Sequence, residues 1–298
     1  MASTSAAVLP AVSPLLEMGA YEALWAEKKS TFKTIADLFR KHPGALPSDF
    51  IHTKIAEDFA ERVLNILNRA NIKQFGLRIH GAGEYPNKLR DADHPIELLY
   101  FQGWWDYVES PCVSVVGTRK PSLEGQHRAA KLTKLLVDDN FTIVSGLATG
   151  IDTIAHQTAI ASGGRTIAVI GTPISATYPS ENRELQQLIA KEHLLISQVP
   201  VYRYSISNFF FKRTLFPVRN VTMSALTLGT IIVEAGETSG ALIQARAALH
   251  QNRKLFILES CFQNENLKWP ARFEEMGAIR VREYEDIRRY LGDQTHKG

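Results

Sequence analysis

The sequence predicts an α/β protein: a doubly wound, mostly parallel sheet with a small N-terminal helical domain. Three observations carry that prediction. Short β-rich apolar runs recur through the later two thirds of the chain, helical stretches alternate with them, and the residues before about position 72 show only helical spacing. Strands buried on both faces read as continuous apolar runs, because helices cover a parallel sheet above and below. The expected division is a lead-in and helical domain over 1–79 and a sheet domain over 80–298.

Taken in order, the first 16 residues are small, apolar and broken by prolines, without the basic stretch of a signal peptide. Between Tyr21 and Asn71 the pattern is helical: Ile55, Phe59, Val63, Ile66 and Leu67 recur near helical spacing with Glu57, Asp58, Glu61 and Arg62 between them. The connector 80–111 is rich in Gly, Pro and aromatics, as an extended segment docked on something larger would be. The strands follow as VSVVG (113–117), FTIVSG (141–146), TIAVIG (166–171), LLIS (194–197), TIIVEA (230–235) and KLFILE (254–259). Helices are expected at 123–138, 151–161, 181–192 and 241–251.

Composition narrows the function. Of the 298 residues 45% are hydrophobic and 22% charged, and 34 Lys plus Arg against 31 Asp plus Glu leave a net charge of +3. That excludes a histone-like polycation and leaves room for a local basic patch. Two cysteines in unrelated contexts make neither a disulfide framework nor a thiolate zinc site. No apolar run is long enough to span a membrane, so a cytoplasmic protein is expected.

Ligands of such sheets bind in the loops beyond the carboxyl ends of the strands. Three of these loops are rich in Gly, Ser and Thr: GTRKPSLEG with Gly117, Thr118, Arg119 and Lys120, SGLATGIDTIAH with Ser145 and Gly146, and EAGETSGAL with Ser239 and Gly240. Glycines admit close backbone approach, helix N-termini present N–H groups to anions, and an Arg can fork onto a phosphate. A phosphate-bearing ligand is the expectation, although neither G-x-G-x-x-G nor G-x-x-x-x-G-K-[ST] occurs. Thr149 to Asp152 also fits a helix capping box.

A second signal is compositional. No Asp or Glu lies between His193 and Val233, whereas Arg203, Lys212, Arg213 and Arg219 do, interleaved with Tyr202, Tyr204, Phe209, Phe210, Phe211 and Phe216. Cations neutralise phosphates and aromatic faces stack on unpaired bases, a pairing suited to single-stranded nucleic acid. The competing reading packs the phenylalanines inside. Catalytic constellations are weak. His156 reads as a structural helical histidine, Ser145 lacks the G-x-S-x-G elbow, and Glu234 has neither nucleophile nor His partner near it in sequence. No metal-ligand spacing is present, and no cofactor is expected.

Gly117-Thr118-Arg119, SGLATGIDTIAH, Tyr178-Pro179, FPVRN (216–220) and EAGETSGALIQA (234–245) occur in this order, preceded by YPNKLRDADHPIELLYFQG. Together they resemble the DNA-processing family DprA, also called Smf, over about residues 80 to 260. The resemblance implies an extended Rossmann-like fold that binds single-stranded DNA in a basic pocket, forms homodimers, lacks catalysis, and loads a RecA-type recombinase during natural transformation. It places the pocket at Gly117 to Arg119, Ser145 to Asp152 and Phe216 to Asn220. On this reading Arg119, Lys212, Arg213 and Arg219 hold phosphates, Phe216 contacts a base, and Ser145, Gly146 and Ser239 offer donors.

Departures are visible: Val221 follows Asn220 where the family commonly has Arg, Gln244 replaces a usual Thr, and Ser260-Cys261 replaces a proline-glycine turn. No C-terminal winged-helix domain is expected before Gly298. The alternative role implied by relatives is an antitoxin or regulatory component of a phage-defence or toxin–antitoxin system, with a cognate toxin as partner. A nucleotide-sensing domain or phosphoribohydrolase is a further alternative, but EAGETSG departs from the P-G-G-x-G-T motif of that enzyme.

Overall fold

The computed structural model describes residues 12–292. Its centre is one sheet of nine strands in the order β1-β2-β6-β5-β4-β3-β7-β8-β9. These are β1 (Gly76–Ile79), β2 (Leu98–Gly103), β3 (Cys112–Val116), β4 (Thr142–Ser145), β5 (Thr166–Ile170), β6 (Leu194–Ser197), β7 (Gly229–Ile232), β8 (Lys254–Leu258) and β9 (Ile279–Val281). From β6 through β9 every neighbouring pair is parallel, while β1 and β2 add an antiparallel edge. The expected α/β, Rossmann-like doubly wound sheet is the observed one. The six strands read from sequence are β3 to β8, each within a few residues of its expected bounds; β1, β2 and β9 were not anticipated.

Strand alternation sends successive side chains to opposite layers. Along β5, Ala168 and Ile170 enter one apolar cluster and Ile167 and Val169 another. Along β3, Val113 and Val115 meet α4 (Leu123–Asp138) and α5 (Ile151–Ala161), while Cys112 and Val116 point to the opposite layer. That layer is covered by α8 (Phe209–Ala225), α9 (Ala241–His250) and connector residues Tyr85, Leu89 and Ile96. Ser122 caps α4 by accepting from the Gly125 N–H at 2.9 Å. The capping box expected at Thr149 does not form. Gly150 is the N-cap of α5, and Asp152 turns back to accept from the Gly146 and Ala148 N–H groups at 3.1 and 3.4 Å.

Residues 1–11 of the expected lead-in lie outside the described residues, and α1 (Pro14–Ala26) already begins at Pro14. It packs with α2 (Phe32–Lys41) and α3 (Thr53–Arg69), and Met18, Trp25, Phe39 and Val63 share one apolar cluster with Leu98, Ala168 and Leu195 of the sheet. Glu22 pins α1 down: its carboxylate accepts from the Tyr100 hydroxyl and from the Val201 and Tyr202 N–H groups, at 2.6 and 2.9 Å, at the start of α7 (Val201–Ile206). Burial raises this carboxyl to about 7.

The remaining helices are α6 (Arg183–Glu192), α10 (Glu259–Phe262), α11 (Trp269–Glu275) and α12 (Glu285–Leu291). No helix among the described residues is long and apolar enough to cross a membrane.

Candidate nucleic-acid interface

The chain winds outward from β3 through β4, β5 and β6, then returns to the other side of β3 with β7. The loops after β3 and β7 therefore diverge, and a crevice opens between them at the carboxyl edge. It holds a cleft of about 530 Å³, bounded by Gly117–Lys120, the start of α5, Phe216–Met223 of α8, and the loop 236–240 with the first turn of α9. A recess of about 200 Å³ adjoins it between Arg119, Gly146, Tyr178, Phe216 and Arg219. Thus all three loops singled out in the sequence meet at one place.

The β3 loop is fixed at both ends. Thr118 donates its N–H to the Glu234 carbonyl at 2.7 Å and accepts from the Ile151 N–H at 3.2 Å. Gly117 is required by that closeness, since a Cβ there would lie 2.6 Å from the Glu234 carbonyl oxygen and 2.7 Å from Ile151 Cγ1. The Glu234 carboxylate accepts from the Ser122 N–H and hydroxyl at 3.0 and 2.7 Å, so this candidate base is engaged with loop backbone, as its sequence context indicates. Arg119 and Lys120 emerge from this rigid loop exposed and without an ion pair among the described residues.

Arg219 behaves differently from expectation. It is 5% exposed and donates through Nη1 to the Gly146 and Val169 carbonyls, the latter at 2.9 Å, and through Nε to Asn220 Oδ1 at 2.8 Å. Asn220 passes the tie on by donating to the Gly240 carbonyl at 3.0 Å. Arg219 therefore ties together the ends of β4 and β5 and, through Asn220, the start of α9, from the floor of the cleft, with its Nε and Nη1 donors spent on protein. Burial lowers its guanidinium to about 10, opposed by the nearby Asp152. Asp152 is buried as well, and burial raises its carboxyl against the pull of Arg219. These two charges offset each other, leaving Arg119 and Lys120 to set the field of the cleft. Glu181 is an exposed acid beside the recess.

Ser145 is also internal. Its hydroxyl donates to the Val115 carbonyl at 2.7 Å and its side chain is fully buried, so it offers no donor to a ligand. Gly146 lines the recess, but its N–H is spent on Asp152 and its carbonyl on Arg219. Ser239 and Gly240 line the cleft, with the Ser239 hydroxyl accepting from the Ala241 N–H at 3.3 Å.

Helix α8 explains the basic and aromatic run. Phe216, Arg219, Asn220 and Met223 recur at helical spacing and line the cleft. Lys212 and Arg213 precede Phe216 by one turn, on the same side of the helix but outside the cleft. Lys212 Nζ lies 4.5 Å from the Tyr204 ring centre, and the Arg213 guanidinium lies 5.7 Å from that of Phe209. The phenylalanines divide between the two readings: Phe209 and Phe210 are 67% and 76% exposed, whereas Phe211 packs against the N-terminal cluster.

The residue-level reading omitted Tyr178. Its ring meets Phe216 edge-on at 5.3 Å and is half exposed at the recess mouth. The motif containing it was the available signal. His156 is fully buried on Thr166 Oγ1 at 2.7 Å, and burial lowers it to about 3, consistent with a structural histidine. Among the described residues no cluster of His, Cys, Asp and Glu could hold a metal.

The profile of the family described as DNA recombination-mediator protein A matches residues 77–292. The chain belongs to that family. It is 41% identical over 179 residues to Protein Smf of Synechocystis sp., covering 59% of this chain and 44% of that protein. Against DNA processing protein DprA of Streptococcus pneumoniae it is 38% identical over 175 residues, covering 58% and 59%. The chain thus spans about half the length of these curated relatives.

Among solved structures, that of DNA processing protein A from Streptococcus pneumoniae aligns with a TM-score of 0.64 at 26% identity, covering 92% of each chain. The Helicobacter pylori protein, described as having a unique single-stranded-DNA binding mode, aligns with a TM-score of 0.62 at 25% identity over 73% of this chain and 95% of that one.

Proposed function

We propose that this family member binds single-stranded DNA in the cleft at the β3–β7 switch point and acts in DNA processing as a recombination mediator. One observation carries the reading: two exposed cations without an ion pair among the described residues, Arg119 and Lys120, stand on a loop fixed at both ends at a cleft whose internal charges, Arg219 and Asp152, offset each other. Such a cleft attracts a polyanion without needing sequence. Phe216 and Tyr178 supply ring faces for an unpaired base, and Lys212 and Arg213 extend the positive face along α8. Gly117, Thr118, Ser239, Gly240 and Asn220 shape the walls.

The test is fluorescence anisotropy with a labelled single-stranded oligonucleotide at two salt concentrations, with duplex as competitor. Salt-sensitive binding that duplex does not displace supports the reading, and absence of binding at low salt removes it. Loading of a RecA-type recombinase and homodimerisation are finer proposals, read by strand-exchange stimulation and by sedimentation. The antitoxin alternative requires a toxic partner neutralised on co-expression. A nucleotide hydrolase would require nucleotide hydrolysis lost in Glu234→Ala; the hold of Glu234 on Ser122 argues for a non-enzymatic protein.

A further inference from the structure

A second concavity, of about 1130 Å³, lies across the 172–182 loop from the cleft. Residues 70–76, the end of β2 and α6 form its walls. The two spaces are one residue apart: Thr177 lines the groove, while Tyr178 and Pro179 line the recess of the cleft.

Helix α6 presents Arg183, Gln187 and Lys191 to this groove at i, i+4 and i+8. That spacing places all three on one helix face, with about 12 Å of helix axis between the two cations at 1.5 Å per residue. Lys73 lines the opposite wall. Arg183 and Lys73 have no ion pair among the described residues, and the Lys191 contact with Glu192, 3.3 Å and solvent-exposed, is of the kind that contributes little. Among the described residues no Asp or Glu lines the groove.

The other lining groups are of two kinds. Carboxamides come from Asn71, Gln74, Gln102, Gln186 and Gln187; Gln186 is 5% exposed and its Oε1 has no hydrogen-bond partner. The free aromatic ring is that of Trp104, 61% exposed; Phe75 and Phe101 also line the wall but pack inward, Phe101 against Trp105 and the Arg78 guanidinium at 4.7 Å each. Cations, carboxamides and rings match phosphates, base edges and base faces respectively. A small anion would need its cations gathered at one point. Here they are strung along a helix, as a linear polyanion requires.

We propose that the groove along α6 is a second contact for the same DNA strand, which leaves the cleft over Tyr178 and runs beside α6 towards Trp104. This rests on the reading of the cleft as a single-strand site. It gives residues 70–76, which join the N-terminal helices to the sheet, a direct part in binding.

Oligonucleotide length separates the two sites. A strand of about six nucleotides fits the cleft alone, whereas one of about twenty reaches the groove. In Arg183→Ala/Lys191→Ala, with folding checked by its melting curve, short-strand affinity should equal wild type. Long-strand affinity should fall by up to about 25-fold at 0.1 M salt and the salt slope should drop by about 1.4, at 0.7 per phosphate contact. Trp104 provides a second readout, because the other three tryptophans, Trp25, Trp105 and Trp269, are buried. The long strand should quench its emission and the short strand should not, and Trp104→Phe should abolish the quench. Unchanged long-strand affinity and slope in the double variant, or indifference of Trp104 to the long strand, would overturn the groove. A wild-type protein that ignores the short strand would instead overturn the cleft, and with it the path over Tyr178.

Discussion

Two arginines meet at the candidate site, and the structure assigns them opposite work. Replacing Arg219 with Ala should destabilise the fold more than it weakens a phosphate contact. The guanidinium makes three charge-assisted bonds, to the Gly146 and Val169 carbonyls and to Asn220, while its charge offsets buried Asp152. Bonds of this type contribute about 1.5–3 kcal/mol each, and removing one partner of a buried charge pair costs about 3–5 kcal/mol. We take the lower range, because water can enter from the cleft above. At about 2 °C per kcal/mol for a chain of this size, the melting temperature should drop by roughly 6–10 °C. Arg219→Lys should also be destabilised, since an ammonium cannot address two carbonyls and an amide oxygen on separate sides. Calorimetry on both variants beside Arg119→Ala reads this directly, with Arg119→Ala melting like wild type. If Arg219→Ala melts within about 2 °C of wild type yet loses as much salt slope as Arg119→Ala, Arg219 is a phosphate ligand and the clamp is refuted.

Four further outcomes follow from the same geometry. Arg119→Ala should lower the single-strand salt slope by about 0.7, equivalent to about fivefold weaker binding at 0.1 M salt, as measured by anisotropy. Phe216→Ala should cost about 1–3 kcal/mol of binding whatever the base sequence, and a loss confined to one base would contradict stacking. Glu234→Ala should destabilise by about 1–2 kcal/mol in urea titration, by removing two bonds at the start of α4, while DNA affinity holds. Stability against pH should show two opposed limbs. His156, lowered to about 3, contributes stability that is present above pH 6.5 and lost as pH falls towards 3; Glu22, raised to about 7, contributes stability that is present below pH 4.5 and lost as pH rises through about 7. Denaturant melts of His156→Asn should therefore lose the rise between pH 3 and 6.5, and a rise of the same size in the variant would exclude His156 as its source.

How much of this was legible in the sequence depends on the range of the interactions involved. The buried parallel strands announce themselves, because burial on both faces forces an apolar run whatever the helices above them do. Strands β1 and β2 carry no such signal. They form an antiparallel edge, and only the surface supplied by β6 and the N-terminal helices makes Leu98 and Tyr100 core residues. Helix α8 is hidden for another reason: Pro217 reads as a helix breaker and the FFF run blurs the period, yet the helix runs unbroken through Pro217, so helicity there is decided by packing on the sheet.

The site shows the same limit at the scale of one charge. Composition marks 194–233 as basic, and all three Gly-rich loops do converge. Yet a count of cations cannot distinguish an arginine that faces solvent from one bonded to carbonyls 50 and 73 residues earlier in the chain. Ser145 fails to reach the cleft for the same reason, its partner being Val115 on the neighbouring strand. The loop that carries Arg119 is also held by distant partners, the Glu234 carbonyl and carboxylate and the Ile151 N–H, but those bonds go to Thr118 and Ser122 and leave the Arg119 guanidinium without an ion pair among the described residues. A cation can therefore be assigned to a ligand only once the distant elements that could neutralise it have been placed around it. That criterion favours Arg119 and Lys120 as the cations for the proposed DNA contact, and places Arg219 among those that keep the cleft open.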